Sequence, residues 1–227
     1  MATAKELESD AKKLEKDGKI DDAITKYNEA AAKYESDGDD DETNAKKSEG
    51  DAKTAARFPN QHELAENLYK QASRQWLDAK KKYFKAAEMH INAAALLKQK
   101  GGKKDLTDAV TETNKGVTDI ENKALPFIDK AGDDYAAAAA ISEGDAASLK
   151  AKNESGYESE YMEAMHQREE AAAMYNMAAL MWALLSIIYK KAKMGGQSTQ
   201  ATTNSNNEKT KVKQQRDKAD QDLKDAQ

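Results

Sequence analysis

The histidines and carboxylates of this 227-residue chain are the side chains whose spacing could support metal or acid–base chemistry. Histidine occurs three times, as His62, His90 and His166, on what the sequence predicts to be different helices. Glu163 and His166 have the Glu-x-x-His spacing of di-metal helical bundles, but such a site takes a second copy and two further glutamates. The second copy is missing from the sequence, which therefore predicts no metal site.

The sequence motifs of other kinds of catalysis are also missing. The chain has no G-x-S-x-G, no glycine-rich phosphate loop and no dinucleotide fingerprint. It has no cysteine, which excludes thiolate nucleophiles, disulfides and cysteine-ligated metals. The acidic run DGDDDET at 37–43 lacks the ligand alternation and final glutamate of a calcium loop. We therefore expect no catalytic residues, no cofactor and no enzymatic activity.

Composition predicts an all-α fold. Only Pro59 and Pro126 interrupt a chain rich in Ala, Lys, Glu and Gln, which are good helix formers. We expect antiparallel hairpins and long helices in a bundle or an irregular array. Charged residues make up 34% of the chain with the two signs interspersed, so no basic groove for nucleic acid is expected. The N-terminus lacks the apolar core of a signal peptide, which favours a cytoplasmic protein, with signal-independent export or membrane association as alternatives.

Helix breakers and shifts in composition divide the chain into four parts. Residues 1–58 are predicted to form a helical hairpin, with a turn at Gly18, followed by a third helix. Residues 59–194 are predicted to form a bundle of long helices. Residues 195–207 lack hydrophobic periodicity and are interpreted as a flexible linker, and 208–227 as a polar, coiled-coil-like tail helix.

A pattern of Ala, three residues, Tyr, two residues and Ala-Ala occurs four times, around Tyr27, Tyr83, Tyr135 and Tyr175. On a helix these positions lie on one stripe, so that each ring stands between small residues that let a neighbouring helix approach. The tyrosines are therefore predicted to pack between helices, with the hydroxyl at the edge of the bundle.

Two segments of the chain resemble known helical families. Residues 7–36, which contain LESDAKKLEKDGKIDDAITKYNEAA, resemble a tetratricopeptide hairpin, with Leu7 and Leu14 on its first helix and Tyr27 on its second. Residues 65–101, from AENLYKQAS to LLKQKG, are similar to the hairpins of SNAP-type vesicle-fusion adaptors. Both resemblances imply a protein-binding scaffold without catalysis.

The nineteen residues 171–189 carry no charge. At about 1.5 Å per residue they approach the thickness of a bilayer, but only the ten from Leu180 to Tyr189 are strongly apolar. A buried central helix is favoured. The alternatives are an exposed surface that binds another chain and, less favoured, contact with a membrane.

These observations predict a non-enzymatic helical scaffold or adaptor that binds other proteins, in trafficking or complex assembly. The rival interpretation is a self-assembling protein that resembles the translocon, tip or filament proteins of type III secretion and uses its apolar helix on a partner or a membrane. The predicted partner-binding residues are two tyrosines and six residues of the apolar helix: Tyr27, Tyr83, Leu180, Trp182, Leu184, Leu185, Ile187 and Ile188.

Overall fold

A computed structural model describes residues 2–191 and 194–227. Over these residues the chain is helical and has no strand, which confirms the predicted all-α bundle. The α-helices are α1 (Ala4–Lys16), α2 (Ile20–Ala55), α3 (His62–Lys100), α4 (Lys103–Asp119), α5 (Leu125–Ala151), α6 (Tyr157–Lys191) and α7 (Gly195–Asp225). A 3-10 turn, Pro59–Gln61, precedes α3, and a π-helical turn, Ile120–Ala124, joins α4 to α5.

Two compact units divide the described chain at places that differ from the predicted boundaries at 58 and 194. The first unit contains the chain up to Glu42 together with Asp78–Ala124. The second contains Thr43–Leu77 and Leu125–Gln227. α2 and α3 run through both units, so two of the unit boundaries lie inside helices. Helix breakers mark the ends of helices and therefore could not predict these boundaries.

The first unit begins with the predicted α1–α2 hairpin. Thr3 and Glu6 form a capping box at the start of α1, and Gly18 ends the helix with φ +72°, a left-handed conformation that glycine adopts without strain. Tyr27 and Tyr34 of α2 are buried with alanines of α1 and α2 and with Met89 and Leu96 of α3. Apolar burial of this kind is the main favourable term in the stability of the unit.

α2 continues without a break through the acidic run at which the sequence predicted it to end. Gly38 is not a turn residue: a Cβ at this position would lie 2.8 Å from Cε2 of Tyr83, so the glycine allows α3 to approach. The carboxylates of the run also have cationic partners, since Lys33 lies 2.7 Å from Asp37 and Lys123 lies 3.0 Å from Glu42. Tertiary packing therefore overrides the local signal for a turn.

α7 is a single helix over the predicted linker and the predicted tail. In the linker region, the Ser205 hydroxyl donates to the Ala179 carbonyl oxygen at 2.8 Å, and the hydroxyls of Ser186 and Thr202 are 2.7 Å apart. In the tail, buried Asp222 accepts a hydrogen bond from buried Arg168 at 2.7 Å. The prediction of a flexible linker is wrong because contacts with α6 stabilise a segment that has weak helix propensity of its own.

The helices α2 to α7 contain an internal repeat that was not predicted from the sequence. Four glycines recur 94 residues later along the chain: Gly38, Gly50, Gly101 and Gly102 correspond to Gly132, Gly144, Gly195 and Gly196. The pentapeptide SEGDA at 48–52 recurs at 142–146 with the same offset. The order α2–α3–α4 thus corresponds to α5–α6–α7, and we call these the first and second repeats.

Equivalent side-chain contacts in each repeat support this correspondence. Tyr83 packs on Gly38 and its hydroxyl donates to Asp39. In the second repeat, Tyr175 packs on Gly132, where a Cβ would lie 2.8 Å from its ring, and its hydroxyl donates to Asp133 at 2.7 Å. A lysine also stands over each ring, Lys123 at 5.3 Å from the first centroid and Lys211 at 4.9 Å from the second.

Candidate functional site

An exposed row of aliphatic side chains lies on one face of α6. Leu180, Leu184, Ile187 and Ile188 are 63%, 58%, 54% and 49% exposed, and Met177 continues the row towards the N-terminus. Their spacing of three and four residues places them on one side of the helix. We call this row the α6 face. The favoured expectation of a buried central helix is wrong for this side, although the opposite side, with Ala171, Tyr175 and Ala179, is buried.

The predicted partner-binding residues are in three different environments. Leu180, Leu184, Ile187 and Ile188 form the α6 face, with Leu185 half-buried beside it and Trp182 half-buried on the opposite side of the helix. Tyr27 is buried, and its hydroxyl donates to Glu15 at 2.6 Å. Tyr83 is also buried but contributes to the wall of a groove in the first unit. The α6 residues thus share one helix of the second unit, whereas both tyrosines belong to the first unit.

The first repeat indicates that the fold does not require apolar residues at these positions. Ala79, Tyr83 and the two following alanines correspond to Ala171, Tyr175 and their alanines, so α3 aligns with α6 at an offset of 92. With this offset, Met177, Leu180, Leu184 and Ile187 correspond to Lys85, Glu88, Asn92 and Ala95. Lys85 and Glu88 form an ion pair at 2.8 Å. Three of these four α3 residues are polar, so packing does not explain Met177, Leu180 and Leu184 of α6, whereas Ile188 corresponds to the apolar Leu96.

The surroundings of the α6 face differ at its two ends. Towards the N-terminus lies a groove of about 500 Å³ lined by Glu169, Ala173 and Asn176 of α6 and by Arg216 and Asp220 of α7, among others. Lys190 and Lys191 are exposed at the C-terminal end. The face therefore runs from an acidic groove wall, past protruding aliphatic side chains, to a pair of cations.

α6 is the helix of the described chain that is long and apolar enough to cross a membrane. Core helices of soluble proteins and signal sequences pass the same test of length and composition, so this finding is weak evidence for a membrane span.

A second cluster, of a histidine and carboxylates, lies in the first unit. Nδ1 of His90 on α3 lies 2.7 Å from an Oε atom of Glu112 on α4, and Nε2 lies 3.0 Å from Glu35 on α2. Asp119, also on α4, lies 3.9 Å from Nε2. Gly116 stands on the same stripe of α4 as Glu112 and Asp119, and a Cβ there would meet the Ala87 carbonyl oxygen at 3.0 Å. This glycine lets α4 approach α3 at His90.

The electrostatics of this cluster follow from burial and from the proximity of its charges. Burial, with the nearby charge of Glu35, raises the pKa of Asp119 to about 6. Burial opposes the charged form of His90, but hydrogen bonds to Glu35 and Glu112 outweigh it and raise the pKa of the imidazole. The cluster thus concentrates carboxylates around one ring and favours a cation among them.

Glu35 and Asp119 of the cluster line an open groove of about 610 Å³. Tyr83, Lys123 and several polar residues of α4 complete the walls. Solvent can therefore reach the Glu35 side chain, whereas Oδ2 of Asp119 is buried. The sequence reading missed this site because its residues come from three helices. The available local signal was the stripe of Glu112, Gly116 and Asp119, where charged residues occupy the packed side of α4.

The Glu163–His166 pair considered from the sequence does not form a metal cluster. Glu163 accepts a hydrogen bond from Lys70 at 2.5 Å and another from Gln167 at 2.8 Å, while His166 is exposed. His62 lies elsewhere in the second unit, 2.7 Å from Asp145. His90 is thus the histidine that the described chain surrounds with three carboxylates.

Comparison with known proteins finds no family model that matches this chain and no curated protein with a matching sequence.

Proposed function

We propose that this chain is a non-enzymatic helical scaffold that works by association with protein chains, and that the α6 face binds a second copy. The observation that carries this proposal is the exposed aliphatic row of α6, at positions most of which carry polar side chains in the first repeat. Large exposed apolar patches mark interaction sites in soluble proteins. The tetratricopeptide-like α1–α2 hairpin fits the same class of function. We also propose that the chain acts in the cytoplasm and does not bind nucleic acid.

The distribution of charge supports a protein interface at this end of the α6–α7 hairpin. Charged residues make up 34% of the chain, yet 171–189 and 194–207 contain none. The cores of protein interfaces are depleted in charged residues and enriched in methionine and aromatic residues. Met177 lies in the α6 face and Met181 lies beside it.

The order of residues along α6 supports an antiparallel arrangement of two copies. A two-fold axis at Leu180 would place Lys191 of each copy opposite Glu169 of the other, and Ile187 opposite Ala173. All of these residues lie on the same side of the helix as Leu180. The symmetric arrangement forms two ion pairs and sets large side chains against small ones. An isologous two-fold contact of this kind is the commonest form of self-association.

The shapes at the two ends of the face are also complementary. Leu184 and Ile187 protrude, whereas Ala173 and Asn176 line the groove of about 500 Å³. In the antiparallel arrangement, the protruding side chains of one copy enter the groove of the other. Burial of these aliphatic groups would contribute about 25 cal/mol for each Å² removed from water.

Charge reversal at the two ends of the face tests this arrangement on the intact chain. Lys191→Glu places a glutamate opposite Glu169 in both contacts, and Glu169→Lys places a lysine opposite Lys191, so either variant alone should associate about 10-fold more weakly, since each exposed pair contributes up to ~1 kcal/mol. An equimolar mixture should form a heterodimer, because acidic ends then face basic ends. Sedimentation velocity and size-exclusion light scattering measure all three cases.

Substitution in the centre of the face provides the stronger perturbation. Leu184→Lys should abolish the dimer, whereas Val110→Lys, at a 61% exposed position on α4, should not change it. A chain that stays monomeric at high concentration would contradict the proposal. So would flotation with anionic vesicles that Leu184→Lys removes, since this would identify lipid as the occupant of the face. Dimers that are insensitive to Leu184→Lys would place the interface elsewhere.

A further inference from the structure

We propose a binding site for a divalent transition-metal ion, of the zinc class, formed by the Glu35 carboxylate, Nε2 of His90 and the Asp119 carboxylate. These ligands come from α2, α3 and α4, all within the first unit. The site is independent of the α6 face and of the scaffold function proposed above.

The three potential ligand atoms have the separation of a metal shell. Two ligands of a tetrahedral zinc ion, each at about 2.1 Å, lie about 3.4 Å apart. The distances from His90 Nε2 are 3.0 Å to Glu35 and 3.9 Å to Asp119. All three atoms lie within 4.8 Å of one another. An ion at their centre would therefore reach each atom with small side-chain rotations.

The other nitrogen of His90 has the partner that metal-binding histidines use. Nδ1 lies 2.7 Å from buried Glu112, whose other carboxylate oxygen accepts a hydrogen bond from Lys115 at 2.9 Å. A histidine that binds a metal usually donates its second ring N–H to a carboxylate, which fixes the tautomer and makes the ligand nitrogen more basic. With Nδ1–H directed to Glu112, Nε2 is the nitrogen available to the ion once it has released its proton to solvent.

The burial of Asp119 without a hydrogen-bond donor to Oδ2 is a separate observation that points to a cation. This residue is 8% exposed, and its Oδ2 atom is buried without a hydrogen-bond partner in the described part of the chain. A buried carboxylate oxygen without a donor is energetically unfavourable. Because Oδ2 lies on the side of His90 Nε2, a bound cation would supply the missing partner.

In the second repeat, a pair of acids near the Tyr175 ring is neutralised by a lysine. Glu35 precedes Gly38 by three residues, as Asp129 precedes Gly132, and Trp182 follows Tyr175 by seven residues, as His90 follows Tyr83. In the second repeat, Lys211 forms ion pairs with both Asp129 and Glu208.

The lysine that stands over the Tyr83 ring in the first repeat has other partners. Lys123 lies 3.0 Å from Glu42 and 3.6 Å from Asp39. It therefore does not bridge Glu35 and Asp119 in the way that Lys211 bridges the two acids of the second repeat. At the position that corresponds to Trp182, the first repeat instead has His90, and histidine is a common metal ligand.

The surrounding backbone leaves the ion accessible. The π-helical turn Ile120–Ala124 begins directly after Asp119, and such turns occur frequently at functional sites. The open groove beside Glu35 and Asp119 leaves room for water as a further ligand. One nitrogen and two carboxylate oxygens suit zinc, and the nitrogen disfavours magnesium and calcium.

Zinc binding to the intact, chelator-treated chain tests the site. Competition with a chromogenic chelator should find one zinc ion per chain, and zinc should raise the melting temperature, whereas the same concentration of magnesium should not. Asp119→Asn should weaken zinc binding about 100-fold, and Glu112→Gln about 10-fold, as expected for loss of a ligand and of its supporting carboxylate.

Asp119→Asn also separates loss of the site from loss of the fold. It removes a buried carboxylate whose Oδ2 atom has no hydrogen-bond donor, so without zinc this variant should melt at the same temperature as the parent or higher. His166→Gln, at an exposed histidine, is the matched control and should bind zinc normally. Zinc binding that survives Asp119→Asn, or that is lost with His166→Gln, would overturn the proposal, as would the absence of a one-to-one complex.

Discussion

Replacement of Asp134 by asparagine should stabilise the protein, and by more as the pH rises. Asp134 lies on α5 in the second unit, is 4% exposed, and its Oδ2 atom has no hydrogen-bond partner among the described residues. Burial is the largest cause that raises its pKa to about 8, and the charges of Glu49 and Asp133 add to it, against smaller effects of Lys53 and of the Trp76 side chain. Its neighbour on α3 is Tyr69, which titrates at higher pH.

The size of this stability difference follows from the linkage between proton binding and folding. In the folded chain Asp134 stays protonated up to about pH 8, whereas in the unfolded chain it ionises near pH 4. Between these values the folded state binds more protons, so the free energy of unfolding falls as pH rises, by about 1.4 kcal/mol per pH unit. The decrease in the free energy of unfolding that Asp134 causes reaches about 3 kcal/mol at pH 6. Asparagine does not ionise, so Asp134→Asn should remove this loss and raise the melting temperature by about 6–12 °C at pH 6.

Thermal unfolding of both chains from pH 4 to pH 9 measures the effect. The difference in melting temperature should be small at pH 4, increase up to about pH 8 and then level off. Asp40→Asn is the matched control, because Asp40 follows Gly38 by two residues, as Asp134 follows Gly132, but is exposed. A difference that does not change with pH, or a less stable Asp134→Asn chain, would refute the reasoning.

Two further predictions concern the contact between Tyr83 and Gly38. Tyr83→Ala should lower the free energy of unfolding by about 3–5 kcal/mol, the usual cost of truncating a buried aromatic ring, and an unchanged melting curve would contradict its role in packing. Gly38→Ala should destabilise by about 1–3 kcal/mol in urea unfolding, because its Cβ would lie 2.8 Å from the Tyr83 ring. Gly50→Ala, with nothing within 4 Å of the added Cβ, should instead stabilise by up to about 1 kcal/mol, and equal effects at the two glycines would count against the contact.

The parts of the fold that depend on local sequence were predictable. Helix-forming composition indicated the all-α class, and the repeated alanine–tyrosine pattern identified residues that pack between helices. Tyr27, Tyr83 and Tyr175 are buried, and Tyr135 is partly buried. Their hydroxyls also reach the edge of the packing as expected, since those of Tyr27, Tyr83 and Tyr175 donate to carboxylates. These features repeat at helical spacing, so they can be recognised without knowledge of the tertiary contacts.

The features that depend on contacts between distant residues could not be found in this way. Gly38 has the same sequence signal whether it ends a helix or makes room for Tyr83, and only the position of α3 decides between the two. The same holds for 195–207, whose serines and threonines form hydrogen bonds with α6. His90 has no acidic partner at helical spacing, because Glu35 and Glu112 reach it from other helices. The 94-residue glycine spacing was a readable signal, and it would have aligned α3 with α6.

The two repeats differ in what covers their central helix, and this difference supports the α6 face as a binding surface. On α3, Met89, Ala93 and Leu96 are buried in a cluster that includes Ala4 and Ala11 of α1. The corresponding α6 residues are Met181, Leu185 and Ile188, of which the first two are half-buried and the last is 49% exposed. α1 precedes the first repeat, whereas the position before the second repeat is taken by α4, which belongs to the first unit. The second repeat thus retains apolar residues where the first has a covering helix, and association with another chain would bury them.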